Sequence, residues 1–218
     1  MNTDHHPRLF VFGGLGGIVG TLCYIAAITV PMGVVGTLIF SMAWPVLSIV
    51  FASSLFRFIG HERQSATNQL AFVFACLAFV LVAAMMSSQL AVVAGMQEYA
   101  EHSLTGEPDL LRLMQRSTRL VDMGIDVAWD LFIGTSLIFL SVALKGCQSF
   151  GIWWATPAIL LGILLIVLNV ITFPWPPNTR GLHDIGPAVG LYIIALSARL
   201  TFLGTRMTRT HLATGHDK

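Results

Sequence analysis

Three aspartates in the stretch VDMGIDVAWD stand four residues apart, at positions 122, 126 and 130. On an α-helix this spacing places Asp122, Asp126 and Asp130 on one face, because the helix turns once in about 3.6 residues. Carboxylates in such a row can bind a cation or share a proton, since neighbouring like charges favour protonation. The apolar run LFIGTSLIFLSVAL follows directly, in a chain of which 11% of residues are charged. The acids therefore stand at the edge of a strongly apolar segment.

The composition indicates an integral membrane protein. Of the 218 residues, 55% are hydrophobic and the mean hydropathy is +0.76, whereas a soluble domain carries about 25% charged residues. The net charge is +1, and the twelve Lys and Arg residues stand mostly beside apolar segments. This distribution leaves no basic face for nucleic acid, so we exclude that class of partner.

Six apolar runs are each long enough to cross a bilayer, which takes about twenty residues. They predict an all-α integral membrane protein with a bundle of six transmembrane helices, over residues 9–30, 33–55, 69–95, 123–144, 151–173 and 185–204. A tail of residues 1–8 precedes this membrane domain of residues 9–204, and a tail of residues 205–218 follows it. The first run is expected to be a retained crossing, because it exceeds the 7–15 residues typical of a signal peptide.

The distribution of Lys and Arg predicts the orientation. One side of the membrane would hold seven of them: Arg8, Arg57, Arg63, Lys145, Arg206, Arg209 and Lys218. The other side would hold four: Arg112, Arg116, Arg119 and Arg180. Because basic residues collect in cytoplasmic loops, both termini are expected in the cytoplasm.

The first crossing carries glycines spaced by four, Gly13 with Gly17 and Gly16 with Gly20. In lipid, such glycines let helix backbones approach closely. We expect this face to pack against another helix, and it would also support a homo-oligomer.

The fourth crossing must draw some of its acids into the membrane. Residues 131–144 supply fourteen uncharged positions, fewer than the roughly twenty that a crossing needs. A helical extension over 108–122, with Pro108 at its start, is expected to continue this helix outside the bilayer. An aspartate in mid-bilayer costs about 2.5–3.5 kcal/mol, so Asp126 and Asp130 are expected to face the bundle, a wet cavity or a cationic partner.

Polar residues of other segments are expected near the same acids. Gln89 falls in the outer part of the third crossing and Asn169 at the outer end of the fifth. The last outer connection adds groups that titrate or form ion pairs: Arg180, His183 and Asp184. We therefore predict a polar site open to the outside, in which Asp126 and Asp130 bind a cation or proton and the two amides orient it.

Structural interpretations of the same residues stay open. Asp122 could pair with Arg119 at the membrane interface. Asp184 could cap the last helix, because aspartate is common at that position. Asn169 could form a hydrogen bond between helices, and Asp130 could serve assembly alone.

The sequence lacks the catalytic and metal-binding motifs named here. There is no Gly-x-Ser-x-Gly turn and no His-Glu-x-x-His motif, and the three cysteines lack metal or disulfide spacing. No histidine lies in an apolar core segment where it could hold haem. We therefore expect no catalytic residue, metal or cofactor. An intramembrane enzyme on a lipid-soluble substrate ranks below binding and transport, although two carboxylates sharing a proton leave it open.

The loop FPWPPNTRGLHDIGPAVGLY, together with VAWDLFIG, resembles an uncharacterised family of bacterial six-helix membrane proteins. The resemblance covers the C-terminal half of the chain. It implies a bacterial inner membrane and carries no site residues.

The sequence favours two functions. In the first, the protein binds or translocates a small cation, proton or cationic solute through an outward-facing acidic cavity centred on Asp130. In the second, it is a non-catalytic subunit or assembly factor that docks a partner through Arg112, Arg116 and Arg119. Oligomerisation or membership of a larger membrane complex fits both.

Overall fold

The chain folds into six long helices. The computed structural model describes the backbone of residues 6–102 and 108–214, and within these ranges it contains no strand. The helices are α1 (His6–Thr29), α2 (Gly33–Glu62), α3 (Ala66–His102), α4 (Pro108–Lys145), α5 (Ile152–Thr172) and α6 (Gly186–Thr214). Each of the six is long and apolar enough to cross a membrane. The predicted all-α bundle of six transmembrane helices is confirmed.

Several helices continue beyond the predicted apolar runs. Helix α2 continues past Arg57 to Glu62, because a charged residue ends an apolar run without ending the helix. Helices α3 and α4 have 37 and 38 residues, or about 55–57 Å at 1.5 Å per residue. The hydrocarbon core of a bilayer is about 30 Å thick, so this pair extends well beyond it. The three aspartates lie on one uninterrupted helix, α4.

The helices pack as a ring that is nearly closed. Each helix from α1 to α4 packs against the next in the chain, and α1 also packs against α6, whereas α5 and α6 touch at few positions. We call the end with the connections 63–65 and 146–151 the termini end, since α1 begins and α6 finishes there. We call the end with the connections 30–32 and 173–185 the acidic end.

The glycines of α1 are buried inside the chain, between α2 and α6. A Cβ on Gly14 would lie 2.6 Å from the carbonyl oxygen of Ser197 on α6, and one on Gly20 would lie 3.3 Å from the carbonyl oxygen of Trp44 on α2. Only glycine allows such an approach. The chain itself thus covers this face of α1 with α2 and α6, and the homo-oligomer stays a prediction.

A carboxylate ties three segments together at the termini end. Glu62 of α2 accepts hydrogen bonds from the Cys147 thiol at 2.9 Å, from the Ser149 backbone N–H at 3.3 Å and from the Ser149 hydroxyl. Arg199 of α6 donates to the Ser149 carbonyl oxygen at 2.8 Å. The connection between α4 and α5 is thus fixed to both α2 and α6. We call these four residues the Glu62 latch.

Candidate functional site

The row of aspartates on α4 faces into the bundle. Asp130 is only 7% exposed, and its neighbours on the same helix face, Val127 and Ile133, belong to the buried core. Asp126 and Asp122, about one and two turns nearer to the acidic end, are half-buried. The burial of Asp130 removes it from lipid, which is the placement that the cost of a charge in hydrocarbon demands.

Both predicted amides lie beside the acids. The Gln89 side chain of α3 lies close to Asp122. The Asn169 side chain of α5, which is 2% exposed, lies close to Asp130. The Asn169 amide nitrogen also donates to the Leu165 carbonyl oxygen at 2.9 Å, so the orientation of this amide is fixed.

Asp184 has a structural role and also lies near the acids of α4. Its Oδ1 accepts a hydrogen bond from the backbone N–H of Gly186 at 2.8 Å, which makes it the cap of α6, as the structural interpretation held. Its charge also acts on both Asp126 and Asp130. The acidic end of the bundle therefore gathers carboxylates from α4 and from the start of α6.

The remaining predicted residues lie apart from this cluster. Arg180 and His183 are exposed in the connection to α6. Within the described residues, the charges acting on Asp126 and Asp130 come from acids and not from Arg180 or His183. The row that could dock a partner is exposed on the protruding part of α4: Arg112, Arg116 and Arg119.

An aromatic wall adjoins the acids. Tyr24 of α1 stacks on Trp44 of α2, with ring centroids 4.2 Å apart, and Trp129 of α4 meets Trp44 edge to face at 6.1 Å. Tyr24 lies close enough to Asp126, Asp130 and Asp184 for their charges to act on its hydroxyl. We call Tyr24, Trp44 and Trp129 the aromatic wall. Sequence reasoning missed it, and the one signal present was Trp129 directly before Asp130.

Several buried polar atoms of the site have no hydrogen-bond partner among the described residues. Asp130 Oδ1, Asp122 Oδ1 and Trp129 Nε1 are buried and have no hydrogen-bond partner among the described residues. Buried polar atoms are nearly always paired, since leaving one unpaired costs about 1–3 kcal/mol. The site thus offers carboxylate oxygens to a donor that enters it.

An apolar cavity of about 50 Å³ lies on the termini side of Asp130. It begins one helical turn away, at Ile133, and its lining includes Phe51, Phe79 and Leu196. Its two polar residues are already bonded, Asn68 to the Phe56 carbonyl oxygen and Ser136 to the Ala71 carbonyl oxygen. Because apolar cavities stay dry, this space opposes the passage of a hydrated ion.

The described residues place no three His, Cys, Asp or Glu side chains where they could hold a metal ion together. No protein-family model, curated protein or solved structure matches this chain.

Proposed function

We propose that the protein binds and translocates a small cation, proton or cationic solute through the acidic end of the bundle, with Asp130 as the central ligand. The observation that supports this most is the burial of Asp130, which is 7% exposed and keeps an unpaired Oδ1. An ionisable group inside a membrane bundle generally marks an ion or substrate pathway. We place the protein in a bacterial inner membrane, with both termini in the cytoplasm and the acidic end outside.

The proposed steps follow from the positions of the side chains. Asp184 and Asp126, at the acidic end of the bundle, attract a cation by their charge. Asp130 then receives it, with the Asn169 side chain beside the Asp130 carboxyl. The apolar cavity beyond Asp130 blocks onward leakage until the helices rearrange.

Proteoliposomes test this proposal. Counterflow of radiolabelled methylammonium and sodium, together with proton release reported by an internal dye, covers the three kinds of cation. We expect Asp130→Asn to abolish the activity that the wild type shows. Glu98→Gln is the matched control, because it removes an exposed carboxylate from the same end and should leave flux unchanged. Equal flux by Asp130→Asn and the wild type would refute the proposal.

A second candidate is a subunit or assembly factor of a membrane complex. The observation that favours it is the protruding part of α4, where an arginine row stands beside exposed apolar side chains. Arg116 and Arg119 are exposed, and Leu113 and Leu120 are 62% and 44% exposed. Interfaces are enriched in arginine next to apolar contacts. This surface would join a larger complex or a second copy of the chain.

This second function predicts a stable complex after mild solubilisation. Replacing Arg112, Arg116 and Arg119 by Gln should reduce the particle to a single chain in mass photometry, while Asp130→Asn leaves the complex intact. A single chain in the unaltered protein would rule this candidate out.

A further inference from the structure

We infer that the guest of the acidic end is an organic ammonium ion with an apolar body, and not a bare metal ion. This inference rests on the proposed function and specifies the ligand of the same site. It combines the unpaired carboxylate of Asp130 with the aromatic wall beside it.

The polar half of the site matches the donors of an ammonium group. Asp130 is more than nine-tenths buried, and its Oδ1 has no partner among the described residues. The Asn169 nitrogen donates to the Leu165 carbonyl oxygen and the side chain lies close to Asp130, so the amide oxygen of Asn169 is left to accept. With the carboxylate of Asp126, the site offers three acceptors, and a primary ammonium has three N–H donors.

The other half of the site presents aromatic rings. Tyr24 stacks on Trp44, and Trp129 meets Trp44 edge to face. Tyr24 and Trp129 are half-buried, whereas Trp44 lies behind them in the core. Aromatic faces attract ammonium groups and also cover the carbon atoms attached to them. A guest held between the carboxylates and this wall would satisfy both halves.

A bare metal ion would be coordinated by the polar half of the site and would leave the aromatic half without a function. Calcium takes six to eight oxygen ligands and magnesium demands a nearly ideal octahedron. Besides Tyr24, the side chains that pack against Trp44 are apolar or sulfur-bearing, among them Val82, Met85 and Met86, so this side supplies one hydroxyl and no further oxygen. Within the described ranges, no group of three metal-binding side chains assembles here.

Calorimetric titration of the purified full chain in detergent tests the inference. The probes are benzylammonium, the neutral benzyl alcohol of similar shape, and sodium and calcium ions. We expect saturable binding of benzylammonium and at least tenfold weaker binding of the other three. Equal binding of benzyl alcohol would show that the charge is not recognised, and tighter binding of sodium or calcium would show that the guest is inorganic. Either outcome overturns the inference.

Variants at Tyr24 assign the binding to the aromatic wall. Tyr24→Leu should weaken benzylammonium binding about 5- to 30-fold, whereas Tyr24→Phe keeps the ring and should bind as the wild type does. Trp153→Leu is the matched control, since Trp153 is 87% exposed and lies at the termini end. Unchanged affinity in Tyr24→Leu would overturn the inference.

Asp130→Asn separates this inference from the proposed function. Suppose that Asp130→Asn abolishes the binding or flux of some cation, while the wild type shows no preference for benzylammonium. The inference then fails and the proposed function stands. If Asp130→Asn changes no cation binding and no flux, the proposed function fails as well. Size-exclusion chromatography of each variant confirms that a loss of binding does not come from misfolding.

Discussion

Asp130 shows at the scale of one residue how a binding function conflicts with stability. Its side chain is 7% exposed, other carboxylates lie nearby, and one oxygen is unpaired. Burying a carboxylate in this way destabilises the folded state unless a partner compensates. A residue retained for binding rather than folding should therefore be replaceable without loss of stability.

Asp130→Asn should stabilise the folded protein, by about 1 kcal/mol. The substitution keeps the shape of the side chain and removes the charge that burial penalises. Thermal unfolding in detergent measures the change. Ser136→Ala serves as the contrast, because it deletes a buried hydroxyl that donates to the Ala71 carbonyl oxygen at 2.7 Å, and it should destabilise by a similar amount. A destabilised Asp130→Asn would show that this acid is structural.

Cys147 provides a pH dependence at the termini end. Burial, the hydrogen bond to Glu62 and the charge of Glu62 raise the pKa of the Cys147 thiol from its usual 9.0 to about 12. Between these values the folded chain keeps a proton that the unfolded chain loses. The free energy of unfolding should therefore be unaffected by this thiol below pH 9 and should fall as the pH rises from 9 toward 12.

The difference between the wild type and Cys147→Ser isolates this effect, because a serine can still donate to Glu62 and does not titrate. We expect the stability difference between the two proteins to stay constant from about pH 7 to 8.5 and then to shift in favour of the serine variant as the thiol of the unfolded wild type ionises. Chemical unfolding followed at several pH values gives this difference. Parallel pH curves would contradict the assignment.

At the scale of helices, α1 is held by close contacts that only glycine permits. A Cβ on Gly14 would lie 2.6 Å from the Ser197 carbonyl oxygen and 2.8 Å from the Thr201 backbone nitrogen. Because both obstacles are backbone atoms of α6, the two helices would have to separate. Gly14→Ala should destabilise the bundle by roughly 1–3 kcal/mol, as overpacking generally does.

Gly190→Ala is the matched control for the same helix pair. No heavy atom lies within 4 Å of a Cβ at Gly190, and alanine is favoured over glycine in a helix by about 1 kcal/mol. This variant should be as stable as the wild type or more so. Equal melting temperatures for Gly14→Ala and Gly190→Ala would show that α1 and α6 can move apart without cost.

The sequence predicted the crossings because hydropathy is a local property. Runs of apolar residues indicate helices wherever they occur, and the spacing of the aspartates is enough to place them on one face. The count of uncharged residues 131–144 also predicted that Asp130 is drawn into the membrane, and its side chain is buried in the bundle. These features depend on one helix at a time.

Contacts between helices could not be predicted in the same way. The aromatic wall joins α1, α2 and α4, and the Glu62 latch joins residues up to 87 positions apart. Nothing in the apolar pattern of one helix indicates which neighbour each face meets. The close glycine contacts of α1 were expected, but the sequence could not say that α2 and α6 already occupy that face.

At the scale of the whole molecule, the two ends are built differently. The Glu62 latch fixes α2, α6 and the connection after α4 at the termini end. At the acidic end, Asp184 before α6 acts on Asp126 and Asp130 by its charge, and α5 and α6 touch at few positions along their length. Because the space beyond Asp130 is apolar, we expect the proposed site to open toward the acidic end alone.

Cysteine labelling in sealed vesicles tests this asymmetry. In a background with Cys23, Cys76 and Cys147 replaced by serine or alanine, Asp126→Cys should react with a membrane-impermeant methanethiosulfonate, because Asp126 is half-buried near the mouth. Ser136→Cys should not react, because Ser136 is 4% exposed and lines the apolar cavity. A protease-cleavable tag at one terminus shows which membrane face is outside. Labelling of Asp126→Cys should come only from the face opposite to that tag, and labelling of Ser136→Cys from the tag's own face would show that the termini end is open.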